Sequence, residues 1–186
     1  MSSFYQPNIK NIKMQNFIIR ITQENTNLLN DENIGCFILP DTVSSEFAEK
    51  FINLARQKEK LVLVSGDNAL QFYKKFNPDG LILNTVQEKN PRKFIEDIKA
   101  QTKKAIIGAI SRNRRHEAML VSEAEPDFII FQFWKDGLQN NLELVDWYNE
   151  FFLIQNAAWP QEDIDINTLK SDFVILDDVK YFSLAK

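Results

Sequence analysis

Eight short apolar runs begin near Phe17, Ile34, Leu61, Gly80, Lys104, Asp127, Phe151 and Phe173, 17 to 27 residues apart, and helix-like stretches separate most of them. A parallel strand pair needs about five residues per strand, a crossover of at least about a dozen and short turns. Each interval therefore holds one such unit with little to spare. Most runs are continuously apolar instead of alternating, as expected for parallel strands covered on both faces. The predicted strands cover residues 17–22, 34–39, 61–65, 80–83, 105–110, 128–133, 152–155 and 173–176.

The clearest crossover helix starts after Ser44 or Ser45 and puts Phe47, Phe51, Leu54 and Ala55 on one stripe, with Glu46, Glu49 and Lys50 to the side. Further helices are predicted over 68–76, 91–101, 114–124 and 141–148, with Pro91 in a first turn, where its missing amide hydrogen costs little. The helical signal is weak over 23–33 and again after Gln155. An open doubly wound sheet uses the same alternation. No glycine-rich dinucleotide fingerprint follows the first run, however, and closing eight strands removes the exposed edges. The expectation is one α/β domain over 1–186, a compact (β/α)8 TIM barrel with its core over about 17–178 and short or degenerate first and seventh crossovers.

A chain of 186 residues can bury one substantial core. Its 22 Lys and Arg against 26 Asp and Glu give a net charge of -4, without the basic footprint that nucleic-acid binding requires. Cys36 is the single cysteine, so it makes no intrachain disulfide; its place in an apolar run reads as core packing in a cytoplasmic protein. The opening residues lack the basic flank and long apolar stretch of a secretory signal, and no run reaches membrane-spanning length, so membrane insertion is not expected.

In a crossover barrel the strand ends and the loops that follow them share one face, where ligands bind. The predicted ends place Ser65, Asp67, Asn84, Thr85, Ser111, Arg112, Arg114, Gln132, Trp134 and Asn156 there as candidate ligand contacts. The guanidinium forks of Arg112 and Arg114 suit a carboxylate or phosphate, and Trp134 suits a planar ring. Many of these types also serve as turn formers and caps. His116 is the sole histidine, which excludes a multi-histidine metal site. Asp67, Asp177 and Asp178 are the candidate magnesium ligands, provided that their loops converge.

The chain resembles the thiamine phosphate synthase and TenI-like barrel family over about Phe17 to Asp178. The match is an ordered framework: Leu61-Val62-Leu63-Val64-Ser65, Pro78-Asp79-Gly80-Leu81-Ile82-Leu83-Asn84-Thr85, Ile106-Ile107-Gly108-Ala109-Ile110-Ser111 and Pro126-Asp127-Phe128-Ile129-Ile130. The resemblance implies a TIM barrel, a homodimer, phosphorylated and heteroaromatic ligands, and a magnesium-dependent joining of hydroxymethylpyrimidine diphosphate to thiazole phosphate. The functional pattern is substituted throughout. Ser65-Gly66-Asp67 stands where the family has Asn-Asp-Arg, Ile82-Leu83-Asn84-Thr85 where it has His-Leu-Gly-Gln, and Ile110-Ser111-Arg112-Asn113 where it has Ser-Thr-His-Ser. Phe37-Ile38-Leu39-Pro40-Asp41 has no counterpart of the strand-two glutamine and basic residue. Gln132-Phe133 replaces Gly-Pro, Asn156-Ala157-Ala158 replaces phosphate-cradling glycines, and Leu176-Asp177-Asp178 brings acid to a phosphate contact region.

Diphosphate chemistry needs simultaneous charge neutralisation, so losing donors and adding carboxylates weakens the transition state more than the packing. The expectation is a degenerate member that binds a small molecule or serves the thiamine pathway without the standard activity. Retained synthase activity with magnesium and a protein-interaction scaffold are the alternatives.

Overall fold

The computed structural model describes residues 16–102 and 104–184. Eight strands run in parallel and close in chain order: β1 (Asn16–Arg20), β2 (Ile34–Pro40), β3 (Leu61–Ser65), β4 (Gly80–Asn84), β5 (Ile106–Ser111), β6 (Phe128–Phe133), β7 (Gln155–Pro160) and β8 (Phe173–Asp177). Six helices lie between or after them: α1 (Ser45–Gln57), α2 (Ala69–Phe76), α3 (Pro91–Thr102), α4 (Arg115–Ser122), α5 (Leu138–Phe151) and α6 (Asp178–Leu184). The first and seventh crossovers carry only 3-10 turns, Asn27–Asn30 and Ile166–Thr168. This is the (β/α)8 barrel with degenerate crossovers that the periodicity predicts. No helix of the described residues is long and apolar enough to cross a membrane.

Strand side chains alternate between two faces, and here each face has its own core. Ile18, Ile38, Leu63, Ile82, Ile110, Ile130, Ala157 and Ile175 fill the barrel interior. Ile19, Phe37, Leu39, Val62, Val64, Ile129 and Leu176 face outward beneath the helices, against residues such as Phe51, Ile95 and Tyr148. Helix α1 starts where the Ser44 hydroxyl accepts from the Phe47 N–H, an N-cap that satisfies one orphan donor of the first turn.

A repeated clamp sets the bottom of the sheet. Asp79, just before β4, accepts from the Val62 N–H of β3 at 2.8 Å. Asp127, before β6, accepts from Ile107 of β5 at 2.7 Å, and Asp172, before β8, accepts from Asn156 of β7 at 2.8 Å. Each carboxylate satisfies an amide at the start of the neighbouring strand, where an unpaired buried donor is costly. The Pro-Asp pairs of the sequence framework are thus parts of the fold.

Strand β7 lies three residues later than the apolar pattern predicts. Of the run Phe151-Phe152-Leu153-Ile154, Phe151 ends α5, Phe152 is the C-cap residue with its ring flat on Tyr148 at a centroid distance of 4.6 Å, and the other two form the loop to β7. Leu153 is fully exposed, and the strand itself is Gln155-Asn156-Ala157-Ala158-Trp159-Pro160. The stacked Phe152 ring is thereby held by the helix and not by a strand. Strand β1 ends at Arg20, two residues before its predicted end.

Close approach fixes two glycines. A Cβ on Gly80 would lie 2.0 Å from the Ile106 carbonyl oxygen, whereas one on Gly108 would meet the tip of the Phe128 ring at 2.5 Å. A ring tip can yield and a backbone carbonyl cannot. Gly80→Ala should therefore lower unfolding stability by an amount at or above the upper end of the roughly 1–3 kcal/mol typical of overpacking, and Gly108→Ala by less. Urea denaturation of the two variants tests that order.

Candidate functional site

The C-terminal mouth of the barrel is built from the last inward-facing residue of each strand. Continuing the interior alternation places Arg20, Pro40, Ser65, Asn84, Ile110, Gln132, Trp159 and Asp177 there. At the β1–β8 side of this mouth Arg20 donates twice to Asp177, Nε to Oδ1 at 2.7 Å and Nη2 to Oδ2 at 2.9 Å. The same guanidinium lies 5.4 Å from the centroid of the Trp159 ring. A bidentate partner and an aromatic face together hold one orientation. The Asp177 hydrogen bonds shift the Arg20 pKa further upward.

Asp178 is buried and does different work. Its carboxylate accepts from the Thr22 hydroxyl, from the Thr22 N–H at 3.2 Å, from the Gln23 N–H at 3.4 Å and from its own neighbour Val179 at 2.8 Å. It ties the exit of β1 to the start of α6. Asp67 is exposed on the loop after β3. Among the described residues no three His, Cys, Asp or Glu side chains come together as a metal-holding group. The three aspartates proposed for magnesium are thus an ion-pair partner, a saturated buried clamp and a loop carboxylate, and they do not fit that ion.

Of the other candidates, Ser65 and Gln132 are half-buried and Asn84 is exposed at the mouth. Asn84 spends its side-chain oxygen on the Val86 N–H at 3.1 Å. Thr85 and Ser111 are buried: the Thr85 hydroxyl donates to the Ile110 carbonyl at 2.7 Å and that of Ser111 to the Arg112 carbonyl at 2.9 Å. Both hydroxyls fasten strand ends. Arg112 Nε donates to the Val86 carbonyl at 2.6 Å while Nη1 lies 3.5 Å from Glu117, so its fork is partly occupied. Arg114 is exposed at the N-cap position of α4, and no side chain caps that helix. Asn113 instead donates to the Gln132 carbonyl at 2.5 Å. Trp134 is exposed at the exit of β6.

Asn156 is not at the mouth. With β7 in its true position, Asn156 is the second residue of that strand, buried and donating to Asn149 of α5 at 2.6 Å. The chain leaving β7 is Pro160-Gln161-Glu162-Asp163, which forms with the start of α6 a groove of about 490 Å³. Glu162, Asp163 and Asp177 line it, and Lys180 is its cation, donating to the Glu162 carbonyl at 3.1 Å and standing 3.5 Å from Asp163. The region after strands seven and eight is where barrels commonly hold phosphate. Here it is acidic.

Trp159 is among the strand-end residues that the sequence brings to this face, whereas Arg20 escapes the sequence reading. Arg20 lies inside a predicted strand, yet a charged residue two positions after Ile18 has the parity of the barrel interior.

Solved structures with the same fold have diverse roles. A thiamine phosphate pyrophosphorylase from Pyrococcus furiosus superposes with a TM-score of 0.68 at 17% identity, covering 88% of this chain and 86% of that one. Citrate synthase SbnG matches with a TM-score of 0.63 at 14% identity over 91% and 89%. A glycerol uptake operon antiterminator regulatory protein from Listeria monocytogenes gives 0.61 at 15% over 89% and 93%. No family model and no curated protein matches the chain. Identities this low establish the TIM-barrel fold, which hosts many chemistries.

Two outcomes follow from this geometry. In a double-mutant cycle of Arg20→Met and Asp177→Asn, the coupling should be about 1 kcal/mol or less, since both groups are more than a third exposed. Either change should also shift Trp159 emission. Burial, with the Asp79 charge adding to it, pushes the Cys36 thiol up to about 12. Iodoacetamide at pH 8 should therefore modify Cys36 in the folded protein roughly a thousandfold more slowly than free cysteine, because the thiolate is the nucleophile. Reaction at the free-cysteine rate would contradict that burial.

Proposed function

We propose that this TIM barrel is a degenerate relative of the thiamine phosphate synthase-like enzymes, binding a small heteroaromatic molecule at its C-terminal mouth without the standard condensation. The observation that carries the reading is the Arg20–Asp177 pair, which commits the inward-facing cation at the end of β1 to a protein carboxylate. An incoming diphosphate would have to displace Asp177 from that cation while facing the carboxylates of Glu162 and Asp163. Like charge at that distance opposes binding and the further charge that develops in the transition state.

What remains at the mouth is suited to an uncharged or cationic ring system. Trp134 offers an exposed aromatic face at the exit of β6. Ser65, Asn84 and Gln132 supply short polar groups on neighbouring inward positions, the usual way a pocket orients a ligand without charge. The ordered framework shared with the synthases supports the choice of a thiamine-related ring. The acidic groove disfavours its phosphorylated forms.

Incubation of the purified protein with hydroxymethylpyrimidine diphosphate, thiazole phosphate and magnesium should yield no thiamine phosphate. Calorimetric titration with thiamine should give saturable binding, weakened at least fivefold by Trp134→Ala. Product that disappears in Arg112→Ala would establish the synthase reading instead. Absence of binding by thiamine, its phosphates and both precursors would leave the scaffold reading.

A further inference from the structure

Among the described residues, the opposite end of the barrel holds a cavity. A cavity of about 580 Å³ enters the interior from the N-terminal ends of the strands. Its walls are Ile18, Cys36, Leu63 and Phe128, with the Phe173 ring 6.1 Å from that of Phe128 and inclined at 60° to it. The opening has a structural origin. The register of β1 on β2 slips between Phe17, paired with Ile34, and Ile18, paired with Cys36, which leaves Gly35 without a partner in the ladder. Among the described residues nothing lies within 4 Å of the position a Gly35 Cβ would take. A bulge that bends one strand away from its neighbour makes room at that edge.

The chemistry of the lining selects the guest. Amides from Asn33 and Gln155 stand at the rim, and Asp127, the one charged lining group among the described residues, already accepts from the Ile107 N–H at 2.7 Å. Among those residues a charged guest has no free counter-charge, while apolar surface would leave water for hydrocarbon and ring contacts. The volume lies within the range of small-molecule sites, and apolar walls with a few polar groups at one end are the usual composition of such sites.

We propose that this bottom cavity is a second ligand site, independent of the mouth, for an uncharged, planar and largely apolar small molecule with hydrogen-bonding groups at one edge. The ring enters the interior from the N-terminal ends of the strands and lies beside Phe128, with its polar edge at the amide rim. The register slip at Gly35 supplies room on the β1–β2 side of that entrance.

Nile red, a neutral planar dye, tests this with the full chain. It should bind saturably at one site per chain with a blue-shifted emission. Gly35→Phe, which adds a ring in open space beside the cavity, should weaken binding at least tenfold at unchanged melting temperature, while Gly35→Ala retains it. Leu61→Glu, at a lining position already 43% exposed, should weaken it at least threefold and serves if Gly35→Phe does not fold. Phe182→Ser on the outer face of α6 should leave it unchanged. Failure of Nile red to bind, as when protein fills the space, overturns the proposal. So does equal affinity in the folded Gly35→Phe and Leu61→Glu variants, or loss in Phe182→Ser.

Discussion

The seam between β8 and β1 has to close on the side of the barrel where both flanking crossovers are reduced to single 3-10 turns. Among the described residues the helical cover there falls to α6. Its Tyr181 is buried, meets Phe17 edge-on with centroids 5.6 Å apart and donates to Asp31 at 2.9 Å beside the first 3-10 turn. Burial, reinforced by the Asp31 hydrogen bond, pushes the Tyr181 hydroxyl well above its ordinary range, so it stays a donor. Leu28, Leu29, Ile164, Ile166 and Leu169 are buried in the short crossovers and supply apolar surface that a full helix would otherwise contribute.

Closing that seam draws on the polar groups of the mouth. Five register pairs join β1 to β8, ending in Arg20 opposite Asp177, whose side chains form the bidentate pair. One position further, Asp178 gathers the amides and hydroxyl of the β1 exit. Here Asp177 at the end of β8 and Arg20 at the end of β1 hold each other, while Asp178 is held by Thr22, Gln23 and Val179.

The strands were legible wherever both sheet faces are buried, because a parallel strand then appears as an unbroken apolar run. Residues 61–65 and 128–133 are found with their boundaries intact. The reading failed at β7, where Phe151 and Phe152 look like a strand but their rings pack along α5. The true strand, with Asn156 and two alanines, is apolar mainly through its small side chains. That displacement carried Asn156 to the wrong end of the barrel. Among the candidate residues, Ser65, Asn84, Gln132 and Asp177 share the interior parity at the mouth, while Thr85 and Ser111 turned out to bond strand ends. Residue type marks hydrogen-bonding capacity and leaves open whether a neighbour or a ligand satisfies it.

The amino-acid order by itself determined that eight parallel strands alternate with mostly helical crossovers, and that two crossovers are too poor in helical signal to be ordinary ones. Those properties follow from local periodicity and chain length. Only the tertiary structure decided which carboxylates pair with which donors and that the β1–β2 register slips at Gly35. Arg20 and Asp177 are 157 positions apart in the chain. Their meeting depends on the closure of the whole sheet, a distance that no local pattern encodes.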